Sequence, residues 1–339
     1  MHMADALVSP AVAATMYVCA GAATAYSIRK VRMEDDAKKI PVMGVMGAFV
    51  FAAQMINFTI PGTGSSGHLC GGLLLSAVLG PYAGFLAMIG VLLIQCLLFA
   101  DGGLLALGCN VWNMAFYGCF IGSLLLWKPM MRNGASKKKI VLASIAGCML
   151  TLQLGAFSVT LETLASGVTA LPFTVFAAAM QPIHLAIGFV EGLITAAVLC
   201  FVYEARPELL WGIGGTACSS KEKTARLSLS KTLGILVILT AAVGGILSLF
   251  ASAFPDGLEW SLERITGSAE LEAAGSAYDT AAAIQETTAL LPDYAFKGSD
   301  SLAGTSFSGI AGAVIVIAFC MVCCRLFQFF KGKHRKFNE

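Results

Sequence analysis

Charge is what this sequence has least of. Only 12% of its 339 residues are Asp, Glu, Lys or Arg, against 57% hydrophobic. A soluble domain carries about twice that charged fraction, and the apolar residues here come in long runs rather than amphipathic stripes. A bilayer-crossing helix needs a run of about 20 apolar residues, so a polytopic, all-α membrane bundle is expected and a soluble globular domain is excluded. No basic patch interleaved with aromatics points to nucleic acid. No GxxxxGK[ST] loop is present, so the chain does not itself hydrolyse ATP. The absence of HExxH and of a serine-nucleophile elbow removes two common hydrolase chemistries. Histidine is scarce as well, at four residues.

Cysteine is plentiful, at 11, but nearly all lie inside apolar runs. The long polar segment 254–305 has none, which argues for packing residues rather than a disulfide framework. Cys320 and Cys323 form a CxxC in an apolar run with no His beside it, a poor metal site.

Apolar runs place spans at about 6–28, 40–60, 69–80, 83–100, 104–127, 140–161, 184–203, 232–253 and 308–328. The third is too short to cross alone. It follows a Gly/Ser loop and reads as a broken or re-entrant helix, with Pro81 turning the chain into the next span. Segments 29–39, 128–139, 204–231 and 325–339 hold 20 of the 22 Lys and Arg, leaving only Arg264 and Lys297 elsewhere. By the positive-inside rule those four segments are cytoplasmic. The N-terminus is then outside and the C-terminus inside. The start of the chain has no basic flank, unlike a secretory signal peptide, and the free amine it offers requires that no leader remain on it. The polar stretch 206–231 reads as a cytoplasmic linker between a seven-span unit (1–205) and a two-span unit (232–339). The second unit carries an acidic external loop, 254–307, read as a solvated face or as a weak cation-collecting field.

Three polar groups stand out. Met1-His2 offers a terminal amine, an amide nitrogen that a strong metal ion can deprotonate, and an imidazole, which together close fused chelate rings in one plane. A fourth nitrogen from His68, in the external loop "QMINFTIPGTGSSGHLCGG" (54–72), would complete a square. Such a set suits Ni²⁺ or Cu²⁺, whereas zinc prefers a tetrahedron and calcium or magnesium want oxygen. Taken singly, each His is ordinarily a surface or capping residue; the case rests on both lying on one face of a chain so poor in His. The loop residues Ser65 and Ser66, with Gln54 and Asn57 before them, could fix the tautomer of His68 from behind. Cys70 could offer a softer axial contact. The third group is His184 and Glu191 in "HLAIGFVEGLIT", two turns apart on one helical face. These read as a buried structural pair, as do Asn110 and Asn113, whose amides are costly in lipid.

"MHMADALVSP", "NFTIPGTGSSGHLCGG", "ALGCNVWNMAFYG" and "HLAIGFVEGLIT" together resemble the substrate-binding component of nickel and cobalt transporters of the energy-coupling factor type, over about residues 1–205. "FPDGLEWSLERITG" (254–267) resembles the small auxiliary component with a PDGLE signature, here fused. The resemblance implies Met1, His2 and His68 as metal ligands, supported by Asn57 and the Ser65-Ser66 region. It also implies a transported Ni²⁺ or Co²⁺ with no resident cofactor, a prokaryotic plasma membrane, a transmembrane coupling subunit and two cytoplasmic ABC-type ATPases. Amide ligation leans toward nickel. Two rivals are a gradient-driven carrier or channel with His184 and Glu191 as its path, and an intramembrane enzyme using them as an acid–base pair. The enzyme reading lacks a nucleophile or a full metal triad.

Overall fold

The computed structural model describes residues 1–31, 39–213, 227–299 and 301–337. Its elements are α1 (Pro10–Lys30), α2 (Lys39–Gln54), a hairpin of β1 (Phe58–Ile60) and β2 (Ser65–Gly67), α3 (Gly72–Leu79), α4 (Pro81–Phe99), α5 (Leu107–Arg132), α6 (Lys137–Ser166), α7 (Phe173–Ala205), α8 (Leu229–Gly245), α9 (Gly257–Thr266), α10 (Ser276–Thr288) and α11 (Leu302–Phe337). Among the described residues seven helices are long and apolar enough to cross a membrane: α1, α4, α5, α6, α7, α8 with the turn that extends it to Phe250, and α11. The chain is a polytopic helical membrane protein. The absence of amphipathic stripes has a direct cause: Val18, Leu125, Leu142, Phe189, Ile238 and Val314 are large apolar residues on the outer surface, where lipid is as apolar as the core.

Two apolar helices are shorter than these seven. α2 is apolar but has 16 residues, and almost all of it is buried, packed on α4, α8 and α11. α3 has eight residues, all buried. It stops at Gly80, whose positive φ of 82° lets the chain reverse into α4. This is the broken helix expected at 69–80. Its backbone lies against α5: a Cβ at Gly118 would fall 2.7 Å from the Gly72 Cα. α6 and α7 approach as closely, since Cβ atoms at Gly188 and Gly192 would lie 2.9 and 2.5 Å from the Cα atoms of Met149 and Ile145. Small residues permit such contact where no hydrophobic force separates helix from lipid.

One end of the bundle gathers residues 1–9, the hairpin, residues 100–106 and 251–299. The opposite end carries Arg29, Lys30, Lys39, Lys128, Arg132, Lys137–Lys139, Arg206 and Lys231. α8 and α11 pack on α2, so the two sequence units share one core.

Candidate metal site

The site is assembled by anchoring the first residues of the chain. Asn110, in the first turn of α5, clamps the Met3 peptide from both sides: its Oδ1 accepts from Met3 N at 2.7 Å and its Nδ2 donates to Met3 O at 3.2 Å. Gly103 N also donates to Met3 O, at 2.9 Å. Asp5 Oδ1 accepts from Ala106 N at 3.0 Å, and Tyr278 of α10 donates to Val8 O at 3.0 Å. The Met3 side chain is fully buried, with its sulfur 3.5 Å from Asn113 Nδ2; the same amide donates to Glu162 at 2.7 Å. Met1 is buried too, against Gly155. A terminus that would ordinarily fray is thus held on both sides of His2.

His68 follows β2 directly. Gly67 lets that strand press on α7, where a Cβ would lie 2.5 Å from Ile187 Cγ1. Beyond His68 the chain is caught by Glu191: its two carboxylate oxygens accept from Cys70 N at 3.0 Å and Gly71 N at 2.9 Å. Gln54 Nε2 donates to Cys70 O at 2.8 Å. The His68 Nδ1 lies 3.1 Å from Leu69 O. A carbonyl can only accept, so Nδ1 carries the proton and Nε2 keeps its lone pair.

These contacts bring Met1 N to 2.7 Å from His68 Nε2, and the His2 and His68 rings stack with centroids 5.2 Å apart. Two carboxylates complete the group. Asp256 begins α9 as its cap: Oδ1 accepts from Leu258 N and Glu259 N, while Glu259 answers with a bond from Asp256 N. This capping box leaves Oδ2 free to reach the Met1 amine at 2.5 Å and to lie 3.7 Å from His68 Nε2. Asp101 Oδ1 lies 3.0 Å from His2 Nδ1, and Asp101 Oδ2 accepts from Tyr294 at 2.5 Å. Both carboxylates are therefore tied to the C-terminal unit.

The electrostatics follow from burial. Burial pushes the carboxyl of Asp256 up, but the Met1 ammonium and His68 outweigh it and hold the group well below the usual range. Burial likewise pushes the Met1 amine down, yet Asp256 raises it above its ordinary value. His2 falls to about 4, because burial outweighs the attraction of Asp101. In this arrangement the amine is charged and the His2 imidazole is neutral.

The remaining residues singled out from sequence divide cleanly. Ser65 and Ser66 form no hydrogen bond with the His68 ring; their hydroxyls and the Ser66 amide donate to the carbonyls of Phe254 and Pro255. They dock the C-terminal unit, because the short strand turns both toward the 254–256 segment. Asn57 accepts from Ser252 N at 2.7 Å through its backbone and lines the cavity beside the site. His184 lies against Gly257, where a Cβ would be 3.0 Å from its Cε1, and its Nδ1 bonds Met180 O at 2.8 Å. Asp256, Asp101 and Tyr294 escaped the sequence reading. The Asp-x-x-Glu spacing at 256–259, a capping-box signature, was the one available signal for Asp256.

The geometry defines a multi-pass helical membrane protein whose N-terminus is folded onto a loop His. Residues 2–209 match the family described as cobalt uptake substrate-specific transmembrane region, and residues 230–329 match the PDGLE domain; the chain belongs to these families. It is 36% identical over 324 residues to a putative fused nickel transport protein of Archaeoglobus fulgidus, covering 94% of this chain and 96% of that one. It is 29% identical over 345 residues to the fused nickel transport protein of Rhodobacter capsulatus, covering 94% and 95%. A crystal structure of a truncated transition metal transporter superposes with a TM-score of 0.53 at 32% identity, over 60% of this chain and 99% of that one. The chain is a metal-uptake membrane subunit of the nickel and cobalt transport families, and a transporter component rather than an enzyme.

Proposed function

We propose that this chain captures Ni²⁺, with Co²⁺ as the second candidate, from outside a prokaryotic plasma membrane and passes it to an ATP-driven importer of the energy-coupling factor type. The ligands are the Met1 amine, the His2 amide nitrogen and imidazole, and His68 Nε2. The observation that carries this reading is the 2.7 Å approach of Met1 N to His68 Nε2, two residues 67 apart in sequence whose lone pairs can point at one ion. Among the described residues no group of three His, Cys, Asp or Glu side chains could hold a metal, so backbone nitrogens are needed to complete a ligand set.

Loading then has a defined course. The ion arrives at the end opposite the basic residues. It displaces the Asp256 contact from the amine, and the amine and the His2 amide each give up a proton to solvent as they bind. The His2 ring leaves Asp101 and its proton passes from Nδ1 to Nε2 by exchange with solvent, which frees Nδ1, the nitrogen near enough to the His2 amide to close a chelate ring with it. Asp256 stays beside the bound cation as a counter-charge. A transmembrane coupling subunit and two cytoplasmic ABC-type ATPases supply the energy for inward release. The gradient-driven alternative has less support, since Glu191 spends both oxygens on loop amides and His184 is bonded to Met180.

The test uses the purified full chain. Acetylating the Met1 amine, or inserting a residue before Met1, should abolish high-affinity nickel and cobalt binding, and His68→Ala should remove most of it. Unchanged affinity in the amine-blocked chain would sink the chelate.

A further inference from the structure

We propose that Trp211, at the basic end of the bundle, is a positioning residue for the metal site at the opposite end: through α3 it fixes His68, and freeing it speeds loss of the bound ion. This rests on the reading that His68 is a ligand. α3 begins at Gly72, just after the His68 turn, and stops inside the bundle at Leu79. The last carbonyls of a helix have no partner within it, and inside a membrane protein each needs one. Gly80 N donates to Ser76 O at 2.9 Å, and Trp211 N, from beyond α7, donates to Ala77 O at 2.7 Å.

Trp211 is itself held on three sides. Trp127 of α5, fully buried, donates through Nε1 to Trp211 O at 2.8 Å. The indole packs on the chain reversal at Gly80, where a Cβ would lie 3.0 Å from its Cδ1. Lys128 Nζ stands 5.6 Å from the ring centroid, within cation–π range. α3 carries this hold to the metal site. Its residues are all buried, and at 1.5 Å per residue it spans about 12 Å. α4 and α5 press on it through glycines: Cβ atoms at Gly84 and Gly118 would lie 2.9 and 2.7 Å from the Cα atoms of Ser76 and Gly72. Those backbone contacts oppose sideways movement, and the bonds at the two ends set its position along the axis. At the outer end they run from Glu191 to the Cys70 and Gly71 amides, directly behind His68. At the basic end the bond is that of Trp211 to Ala77. A metal ligand has to be held within about 0.5 Å of its working place, so slack at Ala77 reaches His68 as a weaker hold on the ion. The proposed function puts the ATP-driven partners at this end, which gives them a residue through which to loosen a site they never touch.

The test follows nickel leaving the purified full chain into excess chelator. Trp211→Ala should lose nickel about tenfold faster than the unaltered chain, with the loading rate changed less than about twofold. Trp211→Phe keeps an aromatic ring on Gly80 and should restore nearly the unaltered rate. Trp127→Phe removes the hydrogen bond to Trp211 O and should speed loss about threefold; it carries the test where Trp211→Ala folds poorly. Leu236→Ala, at a buried position of α8 off this path, is the control for lost packing: its melting temperature should fall while nickel leaves at the unaltered rate. In a His68→Ala chain, Trp211→Ala should add nothing to the loss of residual nickel. Unaltered nickel loss in Trp211→Ala and Trp127→Phe would overturn the proposal, as would equal acceleration by Leu236→Ala, or the same effect of Trp211→Ala with and without His68. Failure of the chelate itself shows separately, as undiminished nickel affinity in His68→Ala.

Discussion

Asp256 does two jobs with two oxygens. Oδ1 caps α9, where the helix N-terminus already favours a negative group, and Oδ2 holds the Met1 amine. Replacing the charge but not the shape separates them. Asp256→Asn should keep the cap, since its amide oxygen still accepts, and weaken the hold on the amine by one charge-assisted hydrogen bond, about 1.5–3 kcal/mol. Acylation of Met1, followed by mass spectrometry, should then accelerate about tenfold or more; an unchanged rate means Asp256 does not hold the amine. The same pair fixes a pH window. The carboxyl is depressed, so its contribution is present above its ordinary 3.8 and is lost as pH falls below that. The amine is raised, so its contribution is complete below its ordinary 8.0 and is lost as pH climbs through the raised value. Metal-free protein should therefore protect Met1 between about pH 4 and 8, measured as acylation relative to a free peptide of residues 1–9. Rising protection above pH 9 would contradict the ion pair. That Met1, His2 and His68 could meet was readable from their rarity and placement. Asp101 was not, because a single Asp after an apolar run has no pattern to mark it.

The elements around His68 act by holding its backbone. Glu191 reaches from α7 to the first amides of the α3 turn, and both its oxygens are acceptors for N–H groups. Glu191→Gln turns one acceptor into a donor facing a donor, leaving a buried amide unsatisfied at a cost of about 1–3 kcal/mol. Nickel affinity should drop about fivefold or more by equilibrium dialysis, with His68 still present. A carrier that uses Glu191 to bind the ion would instead lose binding outright. The Gly67 contact with Ile187 gives a paired test. Gly67→Ala forces a methyl to about 2.5 Å from a side-chain carbon, an overpacking cost of about 1–3 kcal/mol. Trimming the partner by Ile187→Ala, which removes the clashing Cγ atoms, should restore part of the lost thermal stability. If the double variant melts no higher than the single one, the strand does not rest on α7 as drawn. The Gly/Ser loop was legible as a turn. Its partners were not, because Ser65 and Ser66 bond carbonyls about 190 positions away and local sequence carries no mark of them.

At the scale of the whole molecule the spans were legible and their interlocking was not. Lipid requires each crossing helix to satisfy its own backbone and to be apolar all round, so hydropathy finds it. α7 nonetheless begins at Phe173, eleven residues before the expected 184, because residues 173–183 are apolar apart from Thr174 and Gln181 and Pro182 sits inside the helix without ending it. α2 shows what the reading missed most: its apolar face meets helices of both sequence units. Gly44 and Gly47 lie against Ile317 and Val316 of α11, and Gly312 leaves room for Phe51. Across the C-terminal unit, a Cβ at Gly309 would fall 2.0 Å from the Gly244 carbonyl oxygen, so α8 and α11 meet backbone to backbone. Contacts this close imply that the covalent connection through 206–231 is not what keeps the units together. A protease site engineered into that connection and cut in detergent should leave both pieces co-purifying on a tag placed on either one. Gly309→Leu in the cut protein should part α8 from α11, and Gly312→Leu should drive α11 from α2 and release the C-terminal piece. With that piece goes Asp256, so the cut Gly312→Leu protein should also expose Met1 to acylation, while the cut protein alone should not. Separation of the pieces on cutting alone would mean that the contacts along α2 are too weak to join the units.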